Sequence, residues 1–409
     1  MARSNVTIIK RNGALGRRSA NTDGVCGLVT TGVAVAGKLN LGDIYPLKST
    51  RDAAAIGIDA AYDTTNNVLV YHHIDRFFKR NSSGTLYIMV ADQTNAMADL
   101  CDVTKNFAKK LLRECGGKIK WVGVTRNPAA GYTPTLTNGL DEDVLTAIPN
   151  AQAIYDDEFT KFRYAGFILE GRNFNGTAAA AKDLRTLQSP NVSVTIAQDL
   201  TVAAQDAAYA AVGDVLGLIS KAAVSQNIGE FTADFNLQNV GLGLFVNAGL
   251  SSNLDVNSYA DADLDELNDK GYIFPQAVAG LDGFYLNDSS TCSVLADNDF
   301  AYIENNRTIE KAIFLARQAL LPKVKNRVSV DPDTGKLSAE DVKALETIGK
   351  QSLRNMLIDG DISGGIDCYI DPEQDVLSTS LILTEISFIP VSIARQITIS
   401  IGFYNPFKS

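Results

Sequence analysis

The sequence is poor in the residues that most catalytic and metal sites require. It contains two histidines, and they are neighbours, His72 and His73. Zinc sites usually draw His or Cys ligands from several segments. A nucleophilic triad needs an imidazole base. One His-His pair suits neither, so hydrolases and metalloenzymes are disfavoured. The five cysteines (Cys26, Cys101, Cys115, Cys292 and Cys368) are scattered singly, with no Cys-x-x-Cys spacing. Such a set predicts a reducing compartment and no disulfide frame. A GxSxG nucleophile elbow is also missing.

Positive charge is scarce too. Lys plus Arg total 37 against 47 Asp plus Glu, a net charge of −10. A general nucleic-acid binder would carry a basic excess or a basic stripe, so no direct nucleic-acid contact is expected. No apolar run reaches the roughly 18–20 residues of a membrane span. The opening residues, MARSNVTIIKRNG, lack the apolar core of a signal peptide. Membrane insertion is therefore not expected. Internal repeats and low-complexity tracts are absent, which excludes solenoids and fibres.

What is present is an ordinary globular composition, 45% hydrophobic and 21% charged over 409 residues. At roughly 100–200 residues per domain, two to three units are expected. Strand and helix patterns alternate through the first half. GVCGLVTTGVAVA (24–36) suits one or two strands, and STRDAAAIGIDAA (49–61) a helix capped by Ser49 or Thr50. Val70, Ile74, Phe77 and Phe78 fall at helical spacing. TLYIMVAD reads as a buried strand, and MADLCDVTKNFAKKLLREC as one amphipathic helix ending at Gly116-Gly117. KIKWVGVT and YAGFILEG are strand-like, with a helical pattern at 141–154 between them. AAAAKDLRTLQ predicts a helix, NVSVTIAQD a strand, and AAYAAVGDVLGLISKAAVS a long helix. This order predicts an α/β fold with a mostly parallel sheet flanked by helices.

Beyond about residue 230 the texture changes to an α+β C-terminal part. LNDKGYIFPQAVAGLDGFYLND suits antiparallel hairpins. RTIEKAIFLARQALLPKV predicts a helix stopped near Pro322. Ser338, with Asp341 three residues on, is close to a capping box for the next helix. Two strands follow, LSTSLILTEISFIP and RQITISIGFYN. In the second, Ile397, Ile399 and Ile401 alternate with polar or small residues, the pattern of a half-buried strand. The N-terminus offers a matching piece, NVTIIK, in which Val6 and Ile8 alternate with Thr7. A lone terminal strand must find a partner, in its own sheet or on another subunit.

Three local motifs suggest chemistry and fail on inspection. Gly32 to Lys38 fits the first seven positions of a phosphate-binding loop, but Leu39 stands where a magnesium-ligating hydroxyl belongs. Asp331-Pro-Asp333-Thr-Gly335 resembles the start of a calcium loop, yet Lys336 and Val342 occupy the Gly and Glu positions. Asp359 and Asp361 could ligate a cation, but a helix-ending turn explains them as well. No cofactor and no catalytic residue is predicted.

Several stretches of the C-terminal third, DFAYIENNRTIEKAIFLARQALLP, VSVDPDTGKLSAEDV, MLIDGDISG, IDPEQDVLSTS and ISFIPVSIARQITISIGF, resemble the sheath protein of contractile phage tails. More closely, they resemble the compact sheath-like proteins of prophages and contractile injection systems of Bacteroidetes-type bacteria. FFKRNSSGTLYIMV and the blocks between residues 167 and 231 fit as well, so the resemblance covers most of residues 65–405. It implies a structural subunit, not an enzyme, that stacks as six-membered rings around an inner tail tube. Contraction would drive the tube through a target envelope. It implies an N-terminal arm (1–20), an α/β domain (21–240), a C-terminal domain facing the tube (241–395) and a strand-forming arm (396–409). Val6, Ile8, Ile397, Ile399 and Ile401 would then pair with neighbouring subunits. A basic helix carrying Arg307, Lys311 and Arg317, extended by Lys323 and Lys325, would meet the tube. Baseplate and terminator proteins would be further partners. The location would be a virion tail or phage-like particle assembled in the bacterial host cytoplasm. The alternative within the same resemblance is another tail component: a terminator, a non-contractile tube or a baseplate protein.

Overall fold

The computed structural model describes residues 23–296, 298–332 and 334–402. Val6 and Ile8 lie outside the described residues. The chain forms two compact units. The first runs up to Asn175 and regains Val202–Lys221 and Ser251–Asn253; the second holds Gly176–Thr201, Ala222–Leu250 and the chain from Leu254 onward. The chain passes between the two units several times. Sequence texture reports secondary structure, while unit membership depends on which elements pack together.

In the first unit, β1 (Val25–Gly32), β2 (Ile44–Leu47), β3 (Thr85–Asp92), β4 (Trp121–Val124) and β5 (Gly166–Glu170) lie in the order β2-β3-β1-β4-β5. β1 runs parallel to β3 and β4, β4 runs parallel to β5, and β2 is antiparallel to β3. Cys26, Leu28, Val29, Trp121, Val122, Phe167 and Ile168 are fully buried in these strands. Near-continuous apolar runs are what a parallel sheet covered on both faces needs.

The helices include α1 (Val70–Arg80), α2 (Ala108–Cys115), α3 (Glu142–Phe159) and α4 (Val212–Lys221). α4 packs on α1 because two glycines let the backbones approach. A Cβ on Gly213 would stand 2.3 Å from the His73 carbonyl oxygen, and one on Gly217 would stand 2.9 Å from that of Phe77. Asp63 supplies the start of α1, its carboxylate accepting the N–H groups of Tyr71 and His72 at 2.9 and 2.8 Å. Such free N–H groups and the helix dipole favour an anion there.

Local chemistry corrects several helix predictions. Residues 49–61 form two short helices, Thr50–Ala55 and Ala60–Asn66, because Gly57 takes a left-handed φ of 86°. The stretch 97–115 is also broken in two. Asp102 accepts the Thr104 N–H at 2.7 Å, an Asx turn that competes with the helical ladder. AAAAKDLRTLQ gives only 3-10 turns, and the helix expected over 207–225 is confined to α4.

The second unit contains a three-stranded antiparallel sheet of β6 (Ala197–Asp199), β7 (Ala248–Leu250) and β8 (Leu254–Asp255). It ends with α5 (Ile303–Leu320), α6 (Ala339–Ser352), α7 (Arg354–Asp359), β9 (Ile362–Tyr369) and β10 (Glu385–Pro390). Ser338 caps α6, its hydroxyl accepting the Asp341 N–H at 3.2 Å. Ala312, Leu353, Met356 and Ile362 form one small core, flanked by Leu315, Ile366, Ile386 and Phe388. Each large side chain buried there contributes about 1.5–3 kcal/mol.

Candidate assembly interface

β9 and β10 form an antiparallel ribbon of two strands. Alternation sets its faces. Ile362, Ile366, Cys368, Ile386 and Phe388 turn toward the helices, while Asp367, Tyr369, Glu385, Ser387 and Ile389 are exposed. An isolated two-stranded ribbon is marginal in water, so its packing on α5, α6 and α7 supports it. Each strand has one ladder edge that no third strand of the described chain covers. Exposed Leu357 and Ile358, at the end of α7, add apolar surface to the same unit.

The chain leaves β10 at Pro390. Val391 and Ile393 are half-buried, and from Arg395 onward every described residue is exposed. Ile397, Ile399 and Ile401 are 78%, 73% and 90% exposed, and residues 391–402 join no strand. The expected second strand is thus present as pattern, without a strand partner among the described residues. Three alternating isoleucines in water are a costly arrangement that a second chain's sheet edge would relieve.

The basic helix differs from expectation. Arg307 is 3% exposed, and its guanidinium donates to the carbonyls of Ala223 and Ala222 at 2.9 and 3.0 Å. Lys311 lies one turn further on the same face and pairs with Asp361 at 2.6 Å. Arg317 is half-buried. These three therefore do not form one solvent-facing cluster. Helical periodicity, which sequence reading did not apply to the charges, turns Arg307 and Lys311 inward. The exposed cations instead follow the helix: Lys323 and Lys325, already noted in sequence, and Arg327, which was missed. Leu321 and Val324 are exposed among them.

The other sequence candidates have structural places. Val35 and Leu39 exchange backbone hydrogen bonds of 3.0 and 2.9 Å, so the loop after β1 closes as a tight hairpin and opens no helix. Asp331 closes a turn, accepting the Thr334 N–H at 2.8 Å. Asp361 is buried against Lys311. His72 and His73 lie on α1 in edge-to-face contact, 5.5 Å between ring centres, with Tyr209 5.4 Å from His72. The five cysteines are buried and unbridged. Among the described residues, no group of three or more His, Cys, Asp or Glu could hold a metal ion. No described helix is long and apolar enough to cross a membrane.

Similar folds occur in solved structures. The helical sheath of the anti-feeding prophage in its contracted state aligns with a TM-score of 0.63 at 16% identity, covering 98% of this chain and 99% of that one. The sheath complex of the extracellular contractile injection system PVC, also contracted, aligns with a TM-score of 0.58 at 10% identity over 98% of each chain. The sheath tail protein of Desulfitobacterium hafniense gives 0.51 at 11% identity, covering 95% of this chain and all of that one. The fold is that of contractile sheath proteins. The chain belongs to the DUF2586 family, whose N-terminal domain matches residues 3–290 and whose C-terminal domain matches residues 299–408. No curated protein matches it significantly in sequence.

Proposed function

We propose that the chain is the subunit of a contractile tail sheath, polymerising as stacked six-membered rings around an inner tube. One observation carries this reading. Among the described residues, the chain holds an exposed, alternating segment with no strand partner, and a two-stranded ribbon whose outer edges no third strand covers. A donor and an acceptor that meet only between subunits generate an open polymer. Burying Ile397, Ile399 and Ile401 on a neighbour would contribute roughly 5–9 kcal/mol per subunit as an upper bound.

The arm of residues 1–20, with Val6 and Ile8, is the second proposed donor. The inner tube, the baseplate and the terminator are the proposed partners, in a virion tail or phage-like particle assembled in the host cytoplasm. Contraction would draw on energy stored at assembly. The exposed Lys323–Arg327 loop, rather than Arg307 and Lys311, is the proposed tube contact, with Arg317 at its border. Deleting residues 396–409 tests the reading: the truncated chain should fold and stay monomeric, while the full chain forms hollow tubes under the electron microscope. Tubes from the truncated chain would overturn it. Small closed rings from the full chain would favour a terminator instead.

A further inference from the structure

The exposed arm starts abruptly at one residue that is firmly held. Arg395 reaches into a pocket of the second unit made by Asp288, Tyr302 and Glu304. Its Nε lies 2.8 Å from Asp288 Oδ2, and its Nη2 lies 2.5 Å from Glu304 Oε1. The guanidinium stacks 3.5 Å above the Tyr302 ring. The pocket is built. Glu304 is 1% exposed, and Ser289 donates to its second oxygen. Asn227 Nδ2 lies 2.6 Å from Asp288 Oδ1 and 3.4 Å from Glu304 Oε1. Burial pushes the Glu304 carboxyl up, and Ser289 and Arg395 offset part of that.

We propose that Arg395 is a positioning residue for assembly, a latch that fixes the root of the C-terminal arm on its own subunit. The inference rests on the reading of residues 396–402 as a donated strand. Strand addition needs one register, because a one-residue slip turns every isoleucine to the wrong face. An arm hinged at Pro390 would leave twelve described residues free to search; one latched at Arg395 leaves seven, Gln396 to Gly402. The latch also keeps Val391 and Ile393 against their own unit. Only a planar, forked cation satisfies two carboxylates and a ring at once.

Trypsin reads the latch directly, because it cuts after arginine. In the unassembled chain the Arg395–Gln396 bond should resist cleavage while the pocket holds the side chain. The pocket variant Asp288→Asn/Glu304→Gln keeps the cleavage site and removes the latch. Cleavage there should rise roughly ten-fold or more, the factor that charged hydrogen bonds give in an open–closed equilibrium. The same variant should give fewer or irregular tubes with an unchanged circular dichroism spectrum. If it does not fold, Tyr302→Ala, which removes the stacking face and leaves both carboxylates in place, should give the same two effects in smaller measure. Wild-type cleavage rates and regular tubes from the variant overturn the latch. Tubes from the chain lacking residues 396–409 would instead overturn the arm reading, whatever trypsin shows.

Discussion

Lys311 Nζ stands 2.6 Å from a carboxylate oxygen of Asp361, with both side chains largely buried. One ion pair thus absorbs a cation expected to face a partner and an acid that could have ligated a metal. It joins α5 to the turn after α7, where Gly360 takes a left-handed φ of 79° and the Asp361 N–H returns to the Met356 carbonyl at 2.8 Å. Removing either partner leaves a buried charge uncompensated, a loss of several kcal/mol. The pair therefore belongs to the support of the β9–β10 ribbon.

The arm can be tested without truncation. Ile399→Pro removes a backbone N–H that an added strand would need and fixes φ. Ile399 is exposed and makes no ladder with the other described residues, so the melting temperature should stay within about 1–2 °C of wild type. Polymer yield in sedimentation should collapse. A variant that forms normal tubes would remove residues 396–402 from the interface.

Tube contact should depend on the loop after α5. Reversing Lys323, Lys325 and Arg327 to Glu should leave folding and tube-free polymerisation intact, because all three are exposed. Exposed ion pairs contribute about 0–1 kcal/mol each and weaken with salt. Sheaths of the triple variant should therefore be empty, and wild-type attachment should weaken as salt rises. Filled, extended sheaths from the triple variant would move the contact elsewhere.

The phosphate-loop likeness should stay without function. Leu39 is 0% exposed. Restoring the motif with Leu39→Ser should confer no nucleotide binding and should destabilise the chain by about 2–5 kcal/mol, read as a lower denaturant midpoint. Lys38→Ala should leave assembly unchanged.

Acid should weaken the α1–α4 contact through His73. Its Nδ1 accepts the Gly213 N–H at 3.2 Å, which requires the neutral ring. Burial lowers its pKa to about 4, with Asp214 opposing. The unfolded chain binds the proton near 6.5 and the folded chain only near 4, so this contribution is complete above about 6.5 and falls as pH drops toward 4. His73→Asn keeps an acceptor and cannot titrate. Wild type should lose about 1.4 kcal/mol per pH unit relative to this variant across that window. Parallel stability curves for the two would refute the assignment.

Much of this chain was legible in its residues. β3 was bounded correctly by TLYIMVAD, because an apolar β-branched run between turn signals has few other readings. Gly116 ends α2 in a left-handed conformation, and Ser338 caps α6 as its hydroxyl suggests. The alternation at Ile397, Ile399 and Ile401 was legible too, whereas its lack of a strand partner among the described residues was not. These are local properties, set by period, caps and backbone preference within a few residues. The fate of the charges was not local. Whether Arg307 meets solvent or the Ala222 carbonyl depends on a segment 85 residues away, and Arg395 finds Asp288 across 107 residues. Nothing in the neighbourhood of either arginine encodes that choice. The sequence by itself determined the main strands, the caps of several helices and the alternating pattern of residues 396–402. Only the tertiary structure decided which cations are held inside and which remain for a partner, because a buried charge is tolerated only where packing brings its counter-group within reach.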